Sequence, residues 1–373
     1  MDTVHQLQIP QHQLQIPQQQ GDKQALIAFK SLITADPLMS LASWDYSSHF
    51  HNWTGVACGP KLQRFRGLNL TQLSLAGTIA PQLGNLSFIT ILNLSVNSFQ
   101  GVIPSGLGNL ERLEILNVSN NLLGGRIPDG LSNCSKLRNL ALDHNYLIGT
   151  VPTELGSLPE LLRLYLGSNT LKGTIPSSFG NLTSMVEIVM SYNYLSGEVP
   201  STISMLKYLK NLRFPVNYLT GEFHPSLYNL TALDFLALPF NNLTANNFFT
   251  GPLPDSFPNA SKFESVELSS NNFSGTNLEG GIPSSLANCN QLVFIDVARN
   301  NLRGIIPQEI SGMPSILSFN VSYNSFIGPL PENFGNMSHL VRTEILQQIL
   351  WSDFRQHRQL FGIEHYLLSR IFF

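Results

Sequence analysis

Charge is scarce in this chain. Asp, Glu, Lys and Arg make up 12 % of its 373 residues, about half the usual ~25 %. The formal net charge is −3, so the basic footprint of a nucleic-acid partner is missing. Cysteine is nearly absent, and Cys58, Cys134 and Cys289 are spaced for neither a zinc site nor a redox pair. No run reaches the ~18 apolar residues of a membrane span. The opening MDTVHQLQIPQHQLQIPQQQ lacks the apolar core of a secretion signal and duplicates HQLQIP at 5–10 and 12–17. Residues 1–20 are expected to be a disordered, low-complexity segment. Catalytic signatures are missing too: there is no H-E-x-x-H, Gly-rich phosphate loop, V-A-I-K, H-R-D or D-F-G. The histidines are scattered. Asp143 and His144, adjacent on an expected strand, are read as facing opposite ways or flanking its end. Glu187, Glu267 and Asp296 fall in different units, too far apart for paired-carboxylate chemistry, which needs ~5–10 Å. The chain therefore reads as a non-enzyme without cofactor or metal.

What the sequence has in abundance is a repeat. Glycine recurs at Gly77, Gly101, Gly125, Gly149, Gly173, Gly197 and Gly221, 24 residues apart each time. The next step falls on Ala245; short insertions at 246–251 and 276–280 then precede Gly304 and Gly328. Asparagine keeps the same step at Asn97, Asn121, Asn145, Asn169, Asn193, Asn217 and Asn241, and recurs across the two insertions at Asn271, Asn300 and Asn324. Ile89, Leu92, Leu94, Asn97 and Phe99 spell L-x-x-L-x-L-x-x-N-x-L, as do Leu137, Leu140, Leu142, Asn145 and Leu147. About eleven such units run through 65–340.

Each slot has a physical reason. The L-x-L core is a short strand whose alternate side chains point in and out. One coil cannot bury its leucines alone, so neighbouring coils stack into a continuous core. The asparagine satisfies backbone groups orphaned where the chain turns inward. The glycine admits a backbone conformation closed to other residues, and the proline of I-P ends strand pairing. A helical bundle is excluded, because Gly and Pro inside every helix would cost ~1 and ~3 kcal/mol each.

The full unit, with GVIPSGLGNL (101–110) and GTIPSSFGNL (173–182) as near-ideal copies, resembles the plant-specific class of leucine-rich repeats. Residues 21–64 resemble the N-terminal cap of plant receptor-like kinase ectodomains: Ala25, Leu26, Phe29 and Lys30 match its helix, and Trp44, Trp53, Gly55 and Val56 its W…W-x-G-V signature. The most similar group is the immune-receptor-like kinases. The resemblance implies an α/β repeat fold, a right-handed leucine-rich-repeat solenoid curved around a concave parallel β-sheet. It also implies an extracellular or plasma-membrane-associated setting and a role in defence or developmental signalling. Its partners would be a peptide or protein ligand, and a co-receptor or full-length receptor kinase. His51 stands where the family has the first cysteine of a pair with Cys58, which implies a cap prone to fraying. Cys134 and Cys289 replace leucines and are expected to be buried free thiols. Residues 341–373 leave the repeat frame and are read as a non-repeat tail.

Two sets of candidate functional residues follow. N-x-S/T sequons begin at Asn52, Asn69, Asn85, Asn93, Asn117, Asn133, Asn181, Asn229, Asn242, Asn259, Asn272, Asn320 and Asn336. Glycans there would supply the polar surface that a low-charge chain lacks, although N-L-S and N-L-T also arise from the repeat consensus. The second set faces outward on the sheet. Early units carry small polar residues there (Asn93, Ser95, Asn117, Ser119). Middle units carry His144, Arg163, Tyr165, Glu187, Tyr192, Arg213, Phe235 and Phe240, and later ones Glu267, Asp296 and Arg299. Aromatics and arginines are the types enriched in binding hot spots, and 139–270 carries no sequon at these positions. The competing reading is that the aromatics only pack along the sheet. Three functions remain open: a recognition ectodomain in soluble or truncated form, a polygalacturonase-inhibitor-like protein, or a non-functional fragment of a receptor gene.

Overall fold

The computed structural model describes residues 11–59, 64–221, 224, 226–227, 230–243, 263–271, 273, 282–337 and 339–345. The chain forms two compact units, Met1–Leu195 and Ser196–Phe373.

The first unit opens with the cap. Its α-helix spans Gln11–Ser31 and drives Leu26 and Phe29 into the core. Residues 11–20, expected to be disordered, are helical here; glutamine, which dominates them, is a good helix former and the segment runs unbroken into the amphipathic part. Trp44 and Trp53 stack at 5.3 Å, and Phe29 lies 5.7 Å from Phe99 of the second coil. Lys23 Nζ donates to the carbonyls of Tyr46 and Ser48, Lys30 Nζ to that of Trp44, and Trp53 Nε1 to Ser48 Oγ. Cys58 is a free, half-buried thiol. Placing cysteine at His51 to close a short loop to Cys58 should add about 2 kcal/mol under oxidising conditions. The expected readout is a higher melting temperature that reverts on reduction; no gain contradicts the cap alignment.

Five strands of this unit follow each other in parallel register: Ile91–Asn93, Ile115–Asn117, Asn139–Ala141, Arg163–Tyr165 and Glu187–Val189, each residue opposite the one 24 positions on. Phe65–Asn69 precedes them, and Val56–Cys58 covers its open edge antiparallel. An exposed edge would template pairing with other chains; the cap closes it. Past the ladder asparagines runs a second set of short parallel strands, including Ser98–Val102, Leu122–Gly124, Ile148–Thr150 and Thr170–Gly173. Ile33–Ala35 of the cap caps this set in the same antiparallel manner, against Ala76–Thr78.

Behind the sheets each coil makes one 3-10 turn of five residues, such as Ser105–Asn109 or Thr153–Ser157, entered through a proline near φ −63°. These segments are too short for an α-helix. Among the described residues the cap helix is the only α-helical element, so the helical component of the α/β repeat is 3-10 outside the cap.

The asparagines form the expected ladder. Asn145 Nδ2 donates to the carbonyls of Val118, Leu142 and Asp143, and its Oδ1 accepts the Leu123 N–H at 3.0 Å. Each ladder asparagine thus ties its own turn to the preceding coil. The repeat glycine is required at Gly125, where φ is +73° and a Cβ would meet Val102 Cγ1 at 2.7 Å.

The second unit repeats the architecture. Asn211–Arg213, Phe235–Ala237, Ser265–Glu267, Phe294–Asp296 and Ser318–Asn320 pair in parallel register. A further strand, Arg342–Glu344, pairs with Ser318–Asn320 in the same 24-residue step. The repeat therefore enters the stretch read as a non-repeat tail. Leu340 and Ile345 hold the frame, and the signal was masked because Thr343 stands where a leucine is usual. Residues 346–373 and both insertions lie outside the described residues. Cys134 and Cys289 are buried thiols whose pKa burial pushes up to about 11.

Each described coil with a ladder asparagine also holds a non-glycine residue in the left-handed region immediately before it. The first unit has Val96, Asn120, His144, Ser168 and Tyr192; the second has Val216, Phe240, Ser270, Arg299 and Tyr323, all with φ between +52° and +56°. This conformation costs an ordinary L-residue roughly 1–2 kcal/mol and asparagine less. Val216→Asn should accordingly stabilise the chain by about 1 kcal/mol, read as a higher urea midpoint with unchanged slope. An unchanged or lower midpoint contradicts the strain at that position.

Candidate functional site

The side chains on the open face of the strands are set by register. In the first unit Asn139, Arg163 and Glu187 stand in one row, and Ala141, Tyr165 and Val189 in the next. Leu140, Leu164 and Ile188 between them are fully buried. Tyr165 reaches diagonally across the strand pair and donates its hydroxyl to Glu187 Oε2 at 2.7 Å. Burial, reinforced by this bond to a carboxylate, pushes the phenol up to about 12, so Tyr165 stays a donor through the physiological range. Arg163 is exposed beside this pair.

One feature of the row has no counterpart in the sequence reading. Asn139 Oδ1 is buried on this face and has no hydrogen-bond partner. A buried acceptor left unmade costs roughly 1–3 kcal/mol. Nothing in the repeat pattern marks Asn139, because small polar residues occur at this slot in other coils as well.

Beyond the strands, His144 and Tyr192 sit on the left-handed turn. Tyr192 is 60 % exposed. His144 Nδ1 lies 3.0 Å from Asp143 Oδ2. The two were read as facing apart or flanking a strand end; the strand stops at Ala141, and the positive φ of His144 folds its ring back onto its neighbour. His144 is exposed and Asp143 half-buried, and the contact orients the imidazole.

In the second unit the Arg213 guanidinium lies 4.9 Å from the centroid of the Phe235 ring, and Arg213 Nη2 donates to Asn211 Oδ1 at 3.3 Å. Phe235 is half-buried, whereas Phe240, on its left-handed turn, is 58 % exposed. Further along, Arg299 stacks over Tyr323 at 4.8 Å. Some outward residues are thus engaged with the adjacent coil, as Tyr165 is with Glu187 and Arg213 with Phe235. His144, Tyr192 and Phe240 project.

The sequons divide by environment. Asn52, Asn69, Asn85, Asn133, Asn181 and Asn242 are exposed. Asn93, Asn117 and Asn320 are half-buried on the strand face, and each accepts both the backbone N–H and the hydroxyl of its own sequon serine (Ser95, Ser119 and Ser322). These asparagines therefore have a structural task of their own, holding the strand's exit turn. Asn229, Asn259 and Asn272 lie outside the described residues, as does the Asn336 side chain.

Comparison with known proteins places this architecture. Models described as "Leucine rich repeat" match residues 87–147, 135–195, 291–313 and 315–337, and the "Leucine rich repeat N-terminal domain" matches 19–59. The chain belongs to the leucine-rich-repeat family. Its relatives are plant receptor kinases. The LRR receptor-like serine/threonine-protein kinase EFR of Arabidopsis thaliana is 47 % identical over 72 residues, 19 % of this chain and 7 % of that protein. The crystal structure of the Arabidopsis receptor kinase HAESA, in complex with the peptide hormone IDA and the co-receptor SERK1, superposes with a TM-score of 0.76 and 32 % identity. It covers 87 % of this chain and 53 % of that one. The PEPR1–AtPEP1 crystal structure gives a TM-score of 0.66 and 26 % identity over 91 % of this chain and 54 % of that one. This leucine-rich-repeat chain thus resembles plant receptor-kinase ectodomains and spans about half the length of those solved chains. Among its described residues no helix is long and apolar enough to cross a membrane.

Proposed function

We propose that the chain is a recognition scaffold of plant defence or developmental signalling that binds a peptide or protein on the open face of its strands, outside the cell or at its surface. In the first unit His144, Arg163, Tyr165, Glu187 and Tyr192 would make the contacts; in the second, Arg213, Phe235 and Phe240. A co-receptor or full-length receptor kinase would be the second partner. No catalytic step is assigned to it, and the exposed sequons would carry glycans.

The observation that carries this reading is the change of chemistry from coil to coil across the open strand face. Asn93–Ser95 and Asn117–Ser119 satisfy each other internally. In the coils of Arg163 and Glu187 the same face offers a guanidinium, a phenol–carboxylate pair and an exposed tyrosine. An extended peptide supplies N–H donors and side chains suited to such a face. The receptor HAESA, whose solved structure holds a peptide hormone, lends further support.

The test is to pan a phage-displayed library of random linear peptides on the full chain and measure enriched peptides by calorimetry. Arg163→Ala, Tyr165→Ala and Tyr192→Ala combined should weaken binding by roughly two orders of magnitude, the effect of about 3 kcal/mol. Failure to enrich any peptide, or equal affinity for the triple variant, rejects the reading.

A further inference from the structure

A cleft of about 410 Å³ opens between the cap helix and the first 3-10 turn, Pro81–Asn85. That volume lies within the roughly 300–1,000 Å³ of small-molecule sites. Its walls have a definite chemistry. Ala25 and Ala28, one helical turn apart, present methyl groups on one side. Gln24 and Gln82 bring an amide from each wall, and Asp22 adds a carboxyl. Apolar wall plus opposed amides is the complement of an N-acetylhexosamine, which has one C–H face, an acetamide and several hydroxyls.

The cleft also contains its own attachment point. Asn85 and Ser87, the first and third residues of a sequon, both line it and are both exposed, while Leu86 between them is buried. Asn133 and Asn181 occupy the same place at the ends of their own 3-10 turns. The Asn133 turn packs between the turns of adjacent coils, whereas the Asn85 turn packs against the cap helix.

We propose that a glycan on Asn85 seats its first N-acetylglucosamine in this cleft and so clamps the cap helix to the first coil. The inference rests on the reading that the exposed sequons are glycosylated. It gives the cap, whose Cys58 is unpaired by any disulfide, a bridge from helix to solenoid. Asp22, 6 % exposed, has its pKa pushed up to about 6 by burial, with Arg64 opposing; in mildly acidic solution its carboxyl is a neutral donor for a sugar hydroxyl.

The test uses the full chain secreted from plant cells behind an added leader, with glycan processing held at the high-mannose stage. The native protein is treated with an endoglycosidase that cuts between the two core sugars, and each site is followed by mass spectrometry. A seat populated about 90 % of the time exposes the bond about ten-fold less often. Release at Asn85 should therefore be about ten-fold slower than at Asn133 and Asn181. Gln24→Ala with Gln82→Ala should bring Asn85 to the rate of the other two while leaving it occupied. Equal rates in the unaltered chain overturn the proposal, as does an unoccupied Asn85 beside occupied Asn133 and Asn181. If all three are unoccupied, the glycosylation reading itself fails and takes the seat with it.

Discussion

Replacing Asn169 with leucine should lower the unfolding free energy by about 2 kcal/mol. Asn169 Nδ2 donates to the carbonyls of Leu142, Leu166 and Gly167 at 3.0–3.2 Å, and Oδ1 accepts the Leu147 N–H at 2.9 Å. Leucine fills a similar volume but orphans the Leu147 N–H and leaves the carbonyls of Leu142, Leu166 and Gly167 with only Asn145, Asn193 and the His144 N–H, in a site that is 6 % exposed. The loss is far above the ±0.5 kcal/mol of ordinary surface changes. Asn169→Asp separates the two halves of the argument. It keeps the acceptor and turns the donor into a second anionic oxygen facing three carbonyls, so near neutral pH it should cost at least as much as leucine. Burial disfavours the charged form and raises the folded-state pKa above the unfolded value. The folded state then binds the proton more tightly, so stability should rise as pH falls through the folded pKa. Urea unfolding of both variants measures this; a loss below about 1 kcal/mol for leucine would mean that the ladder is replaceable.

The second large effect is expected at Tyr192. Its ring is exposed, yet its backbone is held at φ +54°. Asparagine accepts that conformation at lower cost. Tyr192→Asn should therefore make the chain more stable, by about 1 kcal/mol, and a weaker binder of a selected peptide, by about 10- to 100-fold if the ring is a hot spot. Opposite signs for stability and affinity are what a strained functional residue produces. A purely structural ring would move both together or leave binding untouched. Thermal melts and calorimetry on the same preparations decide between them.

The parts of the fold legible in the sequence are those where one slot has one chemical solution. Only asparagine offers donor and acceptor at the ladder position, so ten copies announce it. Glycine at the repeat step is equally diagnostic, because Gly125 combines a positive φ with a close neighbour. The left-handed position before the asparagine is silent in sequence. Val96, His144, Ser168, Tyr192 and Arg299 share no chemistry, since the ladder imposes their conformation from outside. The Arg342–Glu344 strand was hidden by a single threonine, and the helical 11–20 by a duplication that looked like low complexity. At the candidate site the outward row was readable from period alone. The Tyr165–Glu187 bond was not, because it joins residues 22 positions apart on a diagonal that only register reveals. Nor was the partnerless Asn139, whose distinction lies in what surrounds it.

The most direct measurement is a covalent footprint of the chain, free and with an enriched peptide bound, using a carbene reagent that labels exposed side chains. The molecule carries its own controls: Tyr146 and Tyr194, 61 % and 48 % exposed, lie past the ladder asparagine at the second strand set, while Tyr192 projects from the strand-face turn before it. Recognition on the open strand face predicts that the peptide protects Arg163, Tyr165 and Tyr192 and leaves Tyr146 and Tyr194 labelled as before. Protection of Tyr146 and Tyr194 with Tyr165 and Tyr192 unchanged would contradict it.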